Sequence, residues 1–209
     1  MLIPIQQLVW HFPLRITGIL HVGAHECEEM KDYQAVGVSM DKTYWVEAMP
    51  EKVAFCQERF GDKLHIYQAV IDDKDGTEII FNITNNGQSS SLLEFGSHEV
   101  NHPTVHVVKK VAMQTTRLDT LIEREQIPIT ELNFMNLDIQ GVELRALKSM
   151  EKYLSGIQYI YTEVNIEEVY KGCNLIGEID EYLLRFGFKR VAQHIYGDLG
   201  WGDAFYIKY

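Results

Sequence analysis

Three carboxylates and one glycine sit where the apolar runs of this chain end: Gly23 after Ile19–Val22, Glu47 after Thr43–Val46, Asp138 after Phe134–Leu137, and Glu163 near the end of the run from Ile157 to Val164. Residue types of this kind at strand ends bind and process a ligand that carries hydroxyl groups and positive charge. A glycine lets backbone approach a ligand where a Cβ would collide, and it tolerates positive φ. An acid closing the next strand, roughly twenty residues on, is placed to accept hydrogen bonds from the two hydroxyls of a ribose. The turn itself, His21-Val-Gly-Ala-His-Glu-Cys-Glu-Glu29, has one glycine, not the three of a dinucleotide fingerprint, and Glu26, Glu28 and Glu29 repel a pyrophosphate. A cofactor with adenosine, a positive centre and no phosphate fits these residues, which points to S-adenosylmethionine rather than NAD or ATP. Taken singly, Gly23 reads as an ordinary turn glycine and Glu47 as a solvated strand end; their register favours a site.

The elements that must position these residues alternate in type. The apolar run before Gly23 predicts a strand, with the acidic residues after it opening a helix; Thr43–Glu47 predicts a second strand and Pro50–Phe60 an amphipathic helix that opens on proline and closes at Gly61. His65–Ile71 reads as a third strand, Asp72–Gly76 as a turn and Thr77–Ile83 as an alternating strand. Residues 85–103 are polar and irregular, the longest such segment, and a candidate substrate-side loop. An extended stretch from Thr104 to Thr115 and a short helix from Leu118 to Glu125 follow. Next come a buried-type strand ending at Asp138, a helix after Gly141, a strand at Ile157–Val164, a helix at Ile176–Phe186, and two closing strands at Phe188–His194 and Ala204–Lys208. This order predicts an α/β fold: a single doubly wound, mostly parallel, Rossmann-like sheet with an antiparallel edge hairpin, in one domain over residues 1–209 with residues 1–17 as an N-terminal extension. Ligands of such sheets bind beyond the carboxyl ends of the strands, where Gly23, Glu47, Asp138 and Glu163 converge.

Bulk properties narrow the class. The chain has 209 residues, 46% of them hydrophobic, and a formal net charge of -11, so it can bury a sizeable core and lacks the basic surface of a nucleic-acid binder. Lys109-Lys110 and Lys189-Arg190 are its adjacent basic pairs. Cys27, Cys56 and Cys173 are odd in number and have no paired metal spacing, as expected of reduced thiols in a cytoplasmic protein. No apolar run approaches the roughly 18 residues of a membrane span, and the first residues do not resemble a signal peptide.

Five motifs in order, His21-Val-Gly-Ala-His-Glu26, Trp45-Val-Glu-Ala-Met-Pro50, Gln88-Ser-Ser-Ser-Leu92, Thr116-Arg-Leu-Asp-Thr-Leu121 and Asn136-Leu-Asp-Ile-Gln-Gly-Val-Glu-Leu144, resemble the FkbM-type methyltransferase family over residues 18 to 165. The resemblance implies methyl transfer from S-adenosylmethionine to a hydroxyl of a sugar, glycan or related small molecule. It implies that Val22, Gly23 and His25 form the cofactor turn, that Glu47 holds the ribose hydroxyls with Ala48 beside it among the cofactor-binding residues, that Ala69 and Val70 lie at the adenine edge, and that Asp138 lies beside the methionine part and the transferred methyl. Ser90 and Ser91 match paired serines without an assigned role. His25-Glu-Cys27 is bulkier and more acidic than the family's turn.

A hydroxyl attacks a methyl sulfonium in line and needs a base. Asp138 is the first candidate and Glu163 its companion; together they are also the residues suited to Mg²⁺ if a divalent ion takes part, although no metal site is predicted. Asp138 as a mere cofactor ligand or helix cap is the competing reading. Glu143 is expected to be an exposed first-turn acid, and His21 a hydrogen-bonded core histidine. His98 and His102, in the irregular segment, are candidate catalytic histidines; their i, i+4 spacing would suit zinc on a helix, but Pro103 weakens a helix there and no third ligand is near. Two other classes stay open: an NAD-dependent oxidoreductase of similar fold, and a non-catalytic cofactor-binding scaffold.

Overall fold

The computed structural model describes residues 1–209. In chain order it runs through α1 (Ile5–His11), β1 (Ile19–Val22), α2 (Met30–Ala35), β2 (Thr43–Glu47), α3 (Pro50–Phe60), β3 (His65–Gln68), β4 (Val70–Ile71), β5 (Glu78–Thr84), α4 (His98–Asn101) and β6 (Val107–Thr116). It continues through α5 (Leu118–Arg124), β7 (Phe134–Leu137), α6 (Glu143–Ser149), β8 (Tyr159–Asn165), α7 (Ile176–Leu184), β9 (Phe188–Tyr196) and β10 (Trp201–Lys208).

The main sheet has seven strands in the order β3-β2-β1-β7-β8-β10-β9, parallel from β3 to β8. β10 lies antiparallel between β8 and β9, giving the expected antiparallel edge. Every residue of β1 and β7 is buried, as strands covered on both faces must be. Their side chains alternate between two cores. Leu20, Val22, Met135 and Leu137 join the core closed by α5, α6 and α7; Ile19 and Phe134 join the one closed by α1, α2 and α3. The central strands therefore cannot slide by one residue without exchanging both faces, and the register that fixes the strand ends follows.

Local chemistry sets the helix limits. Pro50 opens α3 at a position where a missing N–H costs nothing, and Gly61 ends it at φ +74°. After β1 the helix begins at Met30, later than the acidic residues suggested, because residues 25 to 29 are taken up by turns in which His25 and Cys27 hold positive φ.

The structure adds a second sheet of three strands, β4-β6-β5. The expected strand His65–Ile71 is interrupted at Ala69: Gln68 is the last residue on the main sheet, and Val70 and Ile71 pair instead with Thr115 and Thr116 of β6. The β5–β6 ribbon stands over the carboxyl end of the main sheet through Phe81, which packs with Met49 and Val70. Within residues 85–103 the irregular backbone contains one helical turn, α4, and Ser91 bridges to Asn82. No helix is long and apolar enough to cross a membrane.

Candidate functional site

Beyond the carboxyl ends of β1, β2, β7 and β8 lies a cavity of about 390 Å³, within the range of small-molecule sites. Twelve of the residues singled out from the sequence line it: Val22, Gly23, His25, Glu47, Ala48, Ala69, Val70, Ser90, His98, His102, Asp138 and Glu163; Ser91 does not, and its hydroxyl donates to the Gln140 carbonyl instead.

At one end the turn after β1 is shaped by contact with the turn after β7. Gly23 has φ +98°, and a Cβ there would stand 1.8 Å from the Asp138 carbonyl oxygen. Glu47, 5% exposed, accepts the His25 backbone N–H on Oε2 at 2.7 Å and the Met49 backbone N–H on Oε1 at 2.9 Å. Burial raises its pKa, and those backbone hydrogen bonds oppose the rise. Each carboxylate oxygen keeps a further lone pair, the pair of acceptors to which a vicinal diol can donate. Ala48, Ala69, Val70 and Phe81 supply an apolar slot beside it, suited to the flat face of an adenine. The ends of this region thus fit an adenosine, and the single-glycine turn flanked by Glu28 and Glu29 fits a positive rather than a pyrophosphate extension.

The other end is a carboxylate pair held by an amide. Gln140 Nε2 donates to Asp138 Oδ1 and to Glu163 Oε2, each at 2.6 Å. Its Oε1 accepts from the Tyr170 hydroxyl, and its carbonyl accepts from Ser91 Oγ at 2.8 Å. Gln140 occupies the left-handed region at φ +57°, a conformation that costs a non-glycine residue on the order of 1 kcal/mol and is kept here by these four contacts. Asp203 stands opposite Glu163 across the β8–β10 ladder and accepts from the Tyr161 hydroxyl and the Leu2 backbone N–H.

Burial, then Asp138, Glu143 and Asp203, raise the pKa of Glu163 well above the usual range. Asp138 is raised first by burial in the protein around it and then by Asp203, while the Met1 ammonium and then the Gln140 hydrogen bond lower it. The two carboxyls titrate as a coupled pair, and the more enclosed Glu163 is the one pushed further up.

Residues given no role at the site by the sequence expectation complete the wall: Gln140, Tyr170, Trp201 and Asp203, beside the expected acid Glu29 of the turn. Glu143 is a correction. It is 0% exposed, and its carboxylate accepts the Ile139 and Gly141 backbone N–H groups, so it is the buried clasp of the turn carrying Gln140 and not a surface acid. Ser90 faces the cavity but also accepts the Thr84 backbone N–H, which fixes the loop. His21 is a core residue: it is buried, its Nδ1 lies 3.0 Å from the Tyr33 hydroxyl, and it stacks on Trp45.

His98 stacks on Phe95 at 4.2 Å between ring centroids and lies 4.8 Å from His102, so α4 does bring the two rings together on the cavity wall. His98 Nδ1 is buried without a partner. No group of three or more His, Cys, Asp or Glu side chains is arranged to hold a metal ion. The three cysteines are free thiols.

Comparison with known proteins adds independent information. Residues 21–190 match the family described as the methyltransferase FkbM domain. The 2-O-methyltransferase NoeI of Sinorhizobium fredii is 23% identical over 163 residues, 74% of this chain; the chain spans 65% of that relative's length. Among solved structures, the methyltransferase FkbM from Methylobacillus flagellatus KT aligns with a TM-score of 0.57 at 11% identity, over 93% of this chain and 44% of that one. Sp1610 of Streptococcus pneumoniae, a candidate tRNA (m1A22) methyltransferase in complex with S-adenosyl-L-methionine, aligns with a TM-score of 0.53 at 14% identity, over 97% and 71%.

Proposed function

The chain belongs to the FkbM methyltransferase family, and from that premise we propose that it is an S-adenosylmethionine-dependent O-methyltransferase acting on a hydroxyl of a sugar, glycan or related small molecule. The observation that carries the reading is the pairing, in one cavity, of a diol-binding Glu47 with the Asp138–Gln140–Glu163 cluster.

S-adenosylmethionine, when bound, supplies an electrophilic methyl group on a sulfonium. Gly23 gives its turn the close backbone approach, Glu47 holds the ribose hydroxyls, and Ala48, Ala69 and Val70 cover the adenine. Asp138 accepts the proton of the acceptor hydroxyl as that oxygen becomes a nucleophile. Gln140 fixes the Asp138 carboxylate by donation to Oδ1 and keeps Glu163 within the same network, so the charge that Asp138 must carry is stabilised. His98 and His102, with Tyr170 and Trp201, form the wall against which the acceptor is oriented. The segment 85–103 is the substrate-side loop, and residues 1–209 act as one domain, with residues 1–17 an extension packed on it.

The net charge of -11 supports a small acceptor over a nucleic acid, and unpaired thiols fit work in the cytoplasm. The test is transfer of an isotopically labelled methyl group from S-adenosylmethionine to a panel of glycosides and oligosaccharides. Labelled methyl ether in a wild-type reaction, lost with Asp138→Asn, supports the reading. Label on nitrogen or on RNA alone overturns it.

A further inference from the structure

The charge of the cavity wall is one-sided. Glu28, Glu29, Glu47, Asp138, Glu163 and Asp203 line it, and not one lysine or arginine does, although the chain has 19 of them. Cations near the rim are paired: Lys52 with Glu26, Lys171 with Glu94 at 3.1 Å, and the Met1 ammonium with Glu29 at 3.3 Å. His25 Nδ1 is paired with Glu28 at 2.6 Å.

The cofactor reading accounts for part of this acidity, since a sulfonium and an ammonium against one carboxylate leave a single net positive charge. With Glu47 engaged by the ribose and Glu29 paired with the Met1 ammonium, the carboxyls of Asp138, Glu163 and Asp203 still outnumber that charge. The Met1 ammonium is the one cation on the wall and is already paired with Glu29, so a phosphate or carboxylate brought here finds no unpaired counter-ion and meets like charge at short range.

The second observation is His98. It is 5% exposed, lines the cavity, and keeps an unpartnered Nδ1 between Phe95, His102 and Tyr170. Burial, then His102, lower its pKa to about 4, so it is an uncharged hydrogen-bonding group near neutral pH. Tyr170 and Trp201 on the same wall add the flat apolar faces on which a pyranose ring packs.

Resting on the methyltransferase reading above, we infer that the acceptor of this cavity is an uncharged or amine-bearing polyol, and that acceptors with a phosphate, carboxylate or nucleoside diphosphate next to the methylated hydroxyl are shut out. The cavity selects by repulsion as well as by contact, which is how specificity among similar sugars is obtained.

The experiment is calorimetric titration of the protein saturated with S-adenosylhomocysteine, near neutral pH, with methyl glucoside, methyl glucosaminide, methyl glucuronide and glucose 6-phosphate as probes. The neutral or aminated probe is expected to bind about tenfold or more tightly than either anion. The difference should shrink in the Asp203→Asn variant, with Tyr161→Phe as a control for the lost hydrogen bond. Equal or tighter binding of an anionic probe, or no difference between any of the four, overturns the inference. Failure of S-adenosylhomocysteine itself to bind would instead remove the methyltransferase reading on which it stands.

Discussion

Gly23 and Asp138 meet backbone to backbone: a Cβ on Gly23 would lie 1.8 Å from the Asp138 carbonyl oxygen, so the turn after β1 and the acid after β7 hold each other in place. Replacing Gly23 by alanine must push these two turns apart and also strains a φ of +98°. The Gly23→Ala variant is expected to lose roughly 2 kcal/mol of stability and about tenfold or more in affinity for S-adenosylhomocysteine. Chemical unfolding and calorimetry measure the two losses, and a variant that keeps wild-type affinity would show that the contact does not shape the cofactor end.

Gln140 donates to both carboxylates of the pair, and its donation lowers the pKa of Asp138. Gln140→Leu removes that support, so Asp138 ionises at higher pH. The acidic limb of the kcat profile is expected to move to higher pH, and kcat near neutral pH to fall about tenfold or more. A profile that falls in height without moving would mean that Gln140 only holds the loop.

Glu143 makes a stability prediction with a definite sign. Burial raises its pKa from the ordinary 4.5 to about 7 against the hydrogen bonds of its backbone donors. A carboxyl raised in the folded state contributes stability that is fully present below 4.5 and is lost as pH climbs through about 7. Relative to wild type, Glu143→Gln should therefore gain stability steadily across that window and remain level above it, by roughly 3 kcal/mol at about 1.4 kcal/mol per pH unit. Urea unfolding at several pH values reads this directly, and a difference independent of pH would contradict it.

His98→Phe keeps the ring stack with Phe95 and removes the unpartnered Nδ1. We expect unchanged or slightly higher thermal stability, unchanged affinity for S-adenosylhomocysteine, and a fall of about tenfold in kcat/KM for the acceptor, the loss of one hydrogen bond. Unchanged kcat/KM would leave His98 a packing residue.

The sequence made some of these residues visible and hid others for physical reasons. Gly23, Glu47 and Asp138 end short apolar strands, and the parallel sheet places such ends together, so local pattern was enough. Asp203 could not be found that way, since it lies within β10 and reaches the cavity only because that strand inserts antiparallel beside Glu163. Gln140 and Tyr170 are joined by a hydrogen bond across thirty residues, a relationship without periodicity. Glu143 looked like an ordinary first-turn acid because its burial depends on how the turn before α6 folds back over it. The break at Ala69 was likewise invisible, because Val70 and Ile71 are as apolar as the strand they leave and their partners, Thr115 and Thr116, are distant in sequence.

The central claim is tested most directly by calorimetric titration of the purified protein with S-adenosylhomocysteine, with NAD in parallel and Glu47→Ala as the paired variant. The account predicts one-site binding of S-adenosylhomocysteine that is lost in the variant, and no binding of NAD. Absence of binding by wild type, or binding of NAD in its place, would contradict it.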